Sequence, residues 1–436
     1  MDTIRYILVV LISLVVFTTK SNGAAVTDVQ VWQKRAEEAK IAARQAYHPD
    51  PWLVSYNLNK HVHKFMEGND SSRRALIANK HDACQATNPI DQCWRCQKNW
   101  AKNRRKLADC ALGFGHHVTG GKIGRTYVVT NPADDDLVNP KEGTLRHAVV
   151  QREPLWIIFA RDMVIRLSQE LIMMSNKTID GRGAQVHITG GAGLTLQYIG
   201  NVIIHNIRIH DIKSGNGGII RDSVNHYGYR SRSDGDGISL FGATNIWIDH
   251  VSISKCTDGL IDAIEASTAV TISNCHFAQH NEVMLFGASD SYSEDEITQV
   301  TLAFNHFGKG LVQRMPRVRW GFVHIVNNDY TRWEMYAIGG SQHPTILSQG
   351  NCFTAPDDAF AKEVTKRDYA PKSIWKNWSW KSEGDVMKNG AFFTQSGNPN
   401  HKFTQGADMI PPKPGNYVGL LTRFAGPLNC VAKKPC

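Results

Sequence analysis

Six short blocks of the chain open and close on an apolar residue: "VIIHNIRI" from 202, "IWIDHVSI" from 246, "VTISNCHF" from 270, "VTLAFNHF" from 300, "VHIVNNDY" from 323 and "ILSQGNCF" from 346. Their starts are 44, 24, 30, 23 and 23 residues apart, so a unit of about 23 residues is expected, with the first gap spanning two units. The blocks are rich in β-branched residues and read as strands. Self-similarity at a fixed period is the mark of a solenoid, in which no unit buries its own apolar face and stacking supplies the core. Asn305, Asn328 and Asn351 fall at one phase of the repeat and are expected to stack as an internal hydrogen-bonded ladder. The predicted fold is all-β, a right-handed parallel β-helix whose strands begin near residue 178. A β-sandwich explains neither the period nor the asparagine phase. A solenoid of this kind presents a long, shallow groove suited to a chain-like ligand.

Ahead of the repeat the periodicity is helical. In "DVQVWQKRAEEAKIAARQAY" Val29, Trp32, Ala36, Ala39 and Ala43 share one face, before "HPDP" stops the helix. Residues 24–83 are therefore expected to form a small helical extension, and 84–436 the β-helix domain. Residues 1–23 carry Arg5, the apolar run "YILVVLISLVVF" and the small residues Ser21 and Gly23, the pattern of a cleaved secretory signal. The run is too short to span a bilayer comfortably.

Composition narrows the partner. The 436 residues are 42% hydrophobic and carry a formal charge of +9, of which Arg5, Lys20 and Asp2 in the leader account for +1. A basic, exported chain suits a polyanion, and the compartment favours an acidic polysaccharide over nucleic acid. N-x-S/T sequons at Asn69, Asn176 and Asn377 agree with the secretory route. Nine cysteines imply disulfides with at least one thiol left over; Cys430 with Cys436, and Cys256 with Cys275, are the expected structural pairs. "CWRC" at 93–96 lacks the second CxxC or spaced His pair that a zinc site needs.

Two stretches carry candidate chemistry. "SRSDGDGISL" holds Asp234 and Asp236, and "CTDGLIDAIEAST" holds Asp258 and Asp262; Asp234 and Asp258 are 24 residues apart, one coil. Neighbouring coils lie about 4.8 Å apart, so these carboxylates become neighbours and repel unless a cation sits between them. Oxygen-only ligands suit Ca²⁺ better than zinc, although Asp-Gly pairs also suit plain turns. "QRMPRVR" sets Arg314, Arg317 and Arg319 around Pro316 with hardly a carboxylate near in sequence.

"WIDHVSISKCTDGLIDA", "NHF", "LVQRMPRVRWG" and "NNDYTRWEMYAIGG", in this order, resemble a plant pectate lyase of the polysaccharide lyase type, from about Cys84 to Cys430. "NLNKHVHK" (57–64) is similar to the extra N-terminal region of a subset of plant members, pollen ones included. The resemblance implies a calcium-dependent parallel β-helix enzyme. It implies Arg314 as catalytic base, Arg319 as a binder of substrate carboxylate, and Asp234, Asp258 and Asp262 as metal ligands, with Asp236 as a further candidate. Asp249 in "WIDH" is expected near the same groove, and Arg317 is expected as part of a solvated basic turn.

The implied substrate is de-esterified homogalacturonan, cleaved by β-elimination; the enzyme is expected to act as a monomer, with neither nucleic acid nor, after signal cleavage, a membrane as partner. An arginine base has to be pulled well below its ordinary, strongly basic range, at a cost of roughly 4 kcal/mol, before an appreciable fraction is neutral. Desolvation and neighbouring cations act in that direction. Many relatives carry lysine where this chain has Asn281 and Glu282, and histidine at Ala288. Two rivals are a hydrolase on the same scaffold, whose Asn-Thr-Asp and Gly-His-Gly tripeptides do not occur here, and a catalytically weak pectate-binding wall protein or pollen allergen.

Overall fold

The apolar blocks are strand, corner, strand. Thr244–Asp249 turns at His250 into Ser252–Ser254, and Thr268–Ser273 turns at Asn274 into His276–Ala278. Asn206, His250, Asn274, Phe304 and Asn327 occupy the corner with φ between 51° and 61°. Asparagine tolerates this left-handed conformation better than most residues, which accounts for its abundance there. The computed structural model describes residues 28–49, 84–367, 369–398 and 409–436. The expected signal sequence, Asn69 and the "NLNKHVHK" stretch lie outside the described residues.

Block starts pair residue for residue. Ile246 lies against Val202 on one side and Val270 on the other; Val270 pairs with Val300, Val300 with Val323 and Val323 with Ile346. The strands gather into parallel sheets of ten, nine and eight strands wound as a right-handed β-helix. The 44-residue gap is not two coils, because Val202 pairs directly with Ile246. It is one coil enlarged by an antiparallel hairpin, Gly218–Ser223 with His226–Arg230. Stacking also starts before residue 178: Arg125–Val129 pairs with Leu155–Phe159, which pairs with Lys177–Asp180. "LWIIF" is almost wholly buried, so it shows no alternation to betray a strand.

Like residues stack inside. The rings of Phe277, Phe307, Tyr330 and Phe353 follow one another at centroid separations of 5.1, 4.4 and 4.6 Å. The asparagine ladder forms as expected: Asn305 Nδ2 donates to Asn328 Oδ1 at 2.9 Å and Asn328 Nδ2 to Asn351 Oδ1 at 3.0 Å, all three side chains fully buried.

The cysteine-rich stretch is a structural cover, with bridges Cys84–Cys96 and Cys93–Cys110, while Cys430–Cys436 forms as expected. The short helix Pro89–Trp94, N-capped by Asn88, carries Asp91 and Trp94 onto the ten-stranded sheet. There a buried relay runs from Arg95 to Asp91 (2.6 Å) and from Asp91 to His250 (2.8 Å); alongside it, Asp249 pairs with His205 at 2.9 Å. The two flanking carboxylates more than offset burial and hold the His250 imidazolium above the usual histidine range.

The Cys256–Cys275 pairing does not form; Cys256, Cys275 and Cys352 are free thiols. Ser252 pairs with His276, so the two sulfurs sit at opposite ends of adjacent strands. At about 3.3 Å per residue that is on the order of 10 Å or more, beyond the ~7 Å Cα separation a disulfide closes.

The N-terminal helix covers residues 28–46 and buries Ala39 and Ala43 with Trp32 half-buried, as its stripe predicts; Val29 at its start stays exposed. Among the described residues no helix is long and apolar enough to cross a membrane.

Two outcomes follow from this packing. Asn328→Ala removes both ladder bonds and leaves buried partners unsatisfied, a loss on the order of 3 kcal/mol by denaturant unfolding; a loss below about 1 kcal/mol would contradict the ladder's role. Alkylation of the denatured, unreduced chain should label three thiols, at Cys256, Cys275 and Cys352, as counted by peptide mass spectrometry.

Candidate functional site

One column of the eight-stranded sheet sets the site's floor. Thr195, Ser239, Asp262, Leu285, Arg317 and Gly339 are register partners on successive coils. Asp234 and Asp236 lie in the turn before the strand Ile238–Phe241, and Asp258 in the turn before Ile261–Ile264. In-register stacking therefore brings the four aspartates of two adjacent coils into one neighbourhood. Glycine makes the close approach possible. A Cβ on Gly259 would lie 2.2 Å from Asp262 Oδ1, and Gly235, at φ +102°, has Thr257 Cβ only 2.7 Å from where its own Cβ would stand.

The carboxylates are graded in solvation. Asp234 and Asp258 are exposed at the rim, while Asp236 and Asp262 are partly covered. Asp236 Oδ2 accepts from Ser239 Oγ at 2.8 Å and Oδ1 from the Gly259 amide at 2.9 Å; Asp262 Oδ1 accepts from the Leu285 amide at 3.1 Å. Burial first, and then Asp258 and Asp234, push the Asp236 carboxyl up to about 7. Burial, Asp236 and Asp258 likewise raise Asp262 well above the ordinary carboxylate range, with the Arg314 charge pulling the other way. Burial, Asp258 and Glu170 raise Asp234. The cluster is thus short of positive charge and rich in oxygen. Among the described residues no three acidic, histidine or cysteine side chains converge closely enough to hold a metal ion as they stand. An open, oxygen-only set of this sort suits a hard cation that completes its shell with water or ligand oxygens.

Arg314 and Arg319 come from the coil after the next. Arg314 sits at φ +63°, with its carbonyl accepting from the Met284 amide at 2.7 Å. Its guanidinium reaches Glu282 at 2.7 Å, while its Nε is buried without a hydrogen-bond partner. Arg319 Nε pairs with Asp290 at 3.0 Å, and its terminal nitrogen donates to the Gly287 carbonyl at 3.0 Å. Ser341 Oγ steadies Asp290 at 2.7 Å.

Three expectations change here. Arg317 is not part of a solvated turn: it is 7% exposed, and its guanidinium lies 4.2 Å from the centre of the Tyr369 ring. Asp249 is not near the groove; it lies on the ten-stranded sheet, fully buried with His205, Ser273 and Asn274. The arginines, seemingly alone in sequence, have carboxylates after all. Glu282 and Asp290 stand one coil earlier, 32 and 29 residues upstream, the length of the one 30-residue coil; adding that coil length to the motif would have found them.

Residues 166–407 match the family described as pectate lyase, and residues 28–76 match the family described as pectate lyase, N terminus. The chain is 60% identical over 407 residues to a protein of Lilium longiflorum named pectate lyase, covering 93% of this chain and 94% of that one. It is 60% identical over 418 residues to the probable pectate lyase P59 of Solanum lycopersicum, covering 93% of each. Among solved structures, the major allergen from cedar pollen superposes with a TM-score of 0.77 at 46% identity, covering 78% of this chain and 99% of that one.

Proposed function

The chain belongs to the pectate lyase family, and from that premise we propose that it cleaves de-esterified homogalacturonan by calcium-dependent β-elimination with Arg314 as base. The observation that carries the reading is electrostatic: Asp262 feels the like charges of Asp236 and Asp258 and the opposite charge of Arg314, so the acidic cluster and the guanidine act on the same stretch of the groove.

The roles follow from the geometry. Asp234, Asp258 and Asp262, with Asp236 beside them, would hold the metal; the raised carboxyls of Asp234, Asp236 and Asp262 are the signature of a site that a cation relieves. A Ca²⁺ ion held by these aspartates would supply positive charge beside a uronate carboxylate, which makes the C5 hydrogen more acidic. Arg314 takes the C5 hydrogen as a proton. The electron pair left behind becomes the C4–C5 double bond, and the C4–O bond breaks with its pair on the departing oxygen, which then regains a proton. No water is consumed. Arg319, held by Asp290 and the Gly287 carbonyl, offers its remaining terminal N–H groups to a neighbouring uronate carboxylate. Residues 84–436 form the catalytic unit in this reading and 24–83 an appended extension. Export through the leader would bring a monomer to the cell wall, where the polymer is.

Two variants test it, assayed by the ultraviolet absorbance of the unsaturated product that only elimination yields. Arg314→Lys should lower kcat about 10²- to 10⁴-fold with the fold and polymer binding retained; retention of most activity would remove Arg314 as the base. Asp258→Asn should raise the calcium concentration for half-maximal activity roughly tenfold or more, and chelator should silence the native enzyme. An unchanged requirement would place the metal elsewhere.

A further inference from the structure

Beside the aspartates, on the side away from Arg314, a cleft of about 220 Å³ opens between the hairpin and the sheet floor. Glu170, Arg230, Arg232, Asp234 and Asp236 line it. Its far wall is built, not incidental. Arg230 ends the second hairpin strand and its Nε reaches Glu170 at 2.9 Å, whose other oxygen accepts from Thr195 Oγ1 at 2.7 Å. Thr195 is the floor residue next to Ser239, so the hairpin is tied to the sheet.

Behind Arg230 stands the N-terminal helix. The Trp32 ring has the Arg230 guanidinium at 5.0 Å and that of Arg35 at 4.7 Å. Arg35 pairs with Asp222 at 2.8 Å, Asp222 with His226 at 2.7 Å, and His226 with Asp28 at 3.0 Å. At its other end the His48 amide donates to Gln299 Oε1 at 3.1 Å. The extension is thus fastened to the hairpin at one end and to the ten-stranded sheet at the other.

Charge decides what the cleft accepts. Arg230 is neutralised by Glu170, whereas Arg232 is exposed and has no ion-pair partner among the described residues. One open cation faces two aspartates, an arrangement that orients a sugar acid with its carboxylate toward Arg232 and its hydroxyls toward the carboxylates. Ser239 and Arg317 are three coils apart, about 14 Å at ~4.8 Å per coil. Only a chain several sugars long reaches from Arg314 into the cleft.

We propose that this cleft is a distal subsite for a uronate unit of the polymer, with Arg232 as its carboxylate-binding cation and the helix over residues 28–46 as the brace that fixes its wall. The inference rests on the lyase reading above. Steady-state kinetics of Arg232→Ala and Trp32→Ala on polygalacturonate and on trigalacturonate test it. Arg232→Ala should raise KM for the polymer roughly three- to fivefold and for the trimer distinctly less. Trp32→Ala should reproduce that split. An unchanged polymer KM in Arg232→Ala, or an equal rise on both substrates, overturns the subsite; a Trp32→Ala enzyme without the split overturns the brace. Native protein that yields no unsaturated product from either substrate overturns the lyase reading instead.

Discussion

In-register parallel stacking is the constraint from which the rest follows. Each coil lies about 4.8 Å above the last with its residues aligned, so side chains at the same or neighbouring phases of adjacent coils are pressed together, like or unlike. For asparagine this is favourable, because an amide both donates and accepts; Asn305, Asn328 and Asn351 form a buried chain of such bonds. For aromatic rings it is favourable too, and four of them stack in the core. For carboxylates it is not. Asp234, Asp236, Asp258 and Asp262 are brought together by the same register, and among the described residues nothing neutralises them fully. The site is where the fold's own rule produces an arrangement that needs a further positive charge.

That tension is affordable because the scaffold is over-determined elsewhere. The cysteine-rich cover adds a second apolar cluster, and beside it Asp91 pairs with His250 and Asp249 with His205 out of water. A buried, hydrogen-bonded charge network of this kind contributes specificity of docking more surely than net stability. It fixes the cover to one place on the ten-stranded sheet, remote from the groove, and leaves the eight-stranded sheet free to carry chemistry.

How much of this was legible in the sequence depended on whether a feature followed the repeat. The strand register and the asparagine phase were plain, because six blocks align without gaps. The enlarged coil was misread, since 44 residues is nearly twice 23 and spacing alone does not separate two coils from one coil with a hairpin. Cys256 and Cys275 misled for a related reason: 19 residues is close to a coil, yet the two fall at different phases and face different corners. Asp249 sits in a motif-rich stretch, but its position on a strand of the ten-stranded sheet turns it to the cover. Arg317 and Arg319, two apart on one strand, share the groove face, and it is the Tyr369 ring lying against the Arg317 guanidinium that covers it. Phase within the coil, rather than proximity to a motif, determines which face a side chain serves.

The arginines complete the argument from the opposite sign. Left unpaired, two long cationic side chains at a groove would sample many rotamers, and a polyanion binding them would have to order them first. Glu282 and Asp290, reaching over from the preceding coil, remove that cost by holding Arg314 and Arg319 in place before any ligand arrives. Both pairs are half-exposed, so the attraction is screened and a ligand carboxylate competes with it on nearly equal terms. A fully buried pair would lock the guanidine; a bare one would leave it wandering. With the Nε of Arg314 buried and its terminal nitrogen tethered to Glu282, the guanidine is aimed before any ligand arrives; because a neighbouring carboxylate favours the charged guanidinium, the proposed role as base requires that contact to be given up when substrate and cation enter.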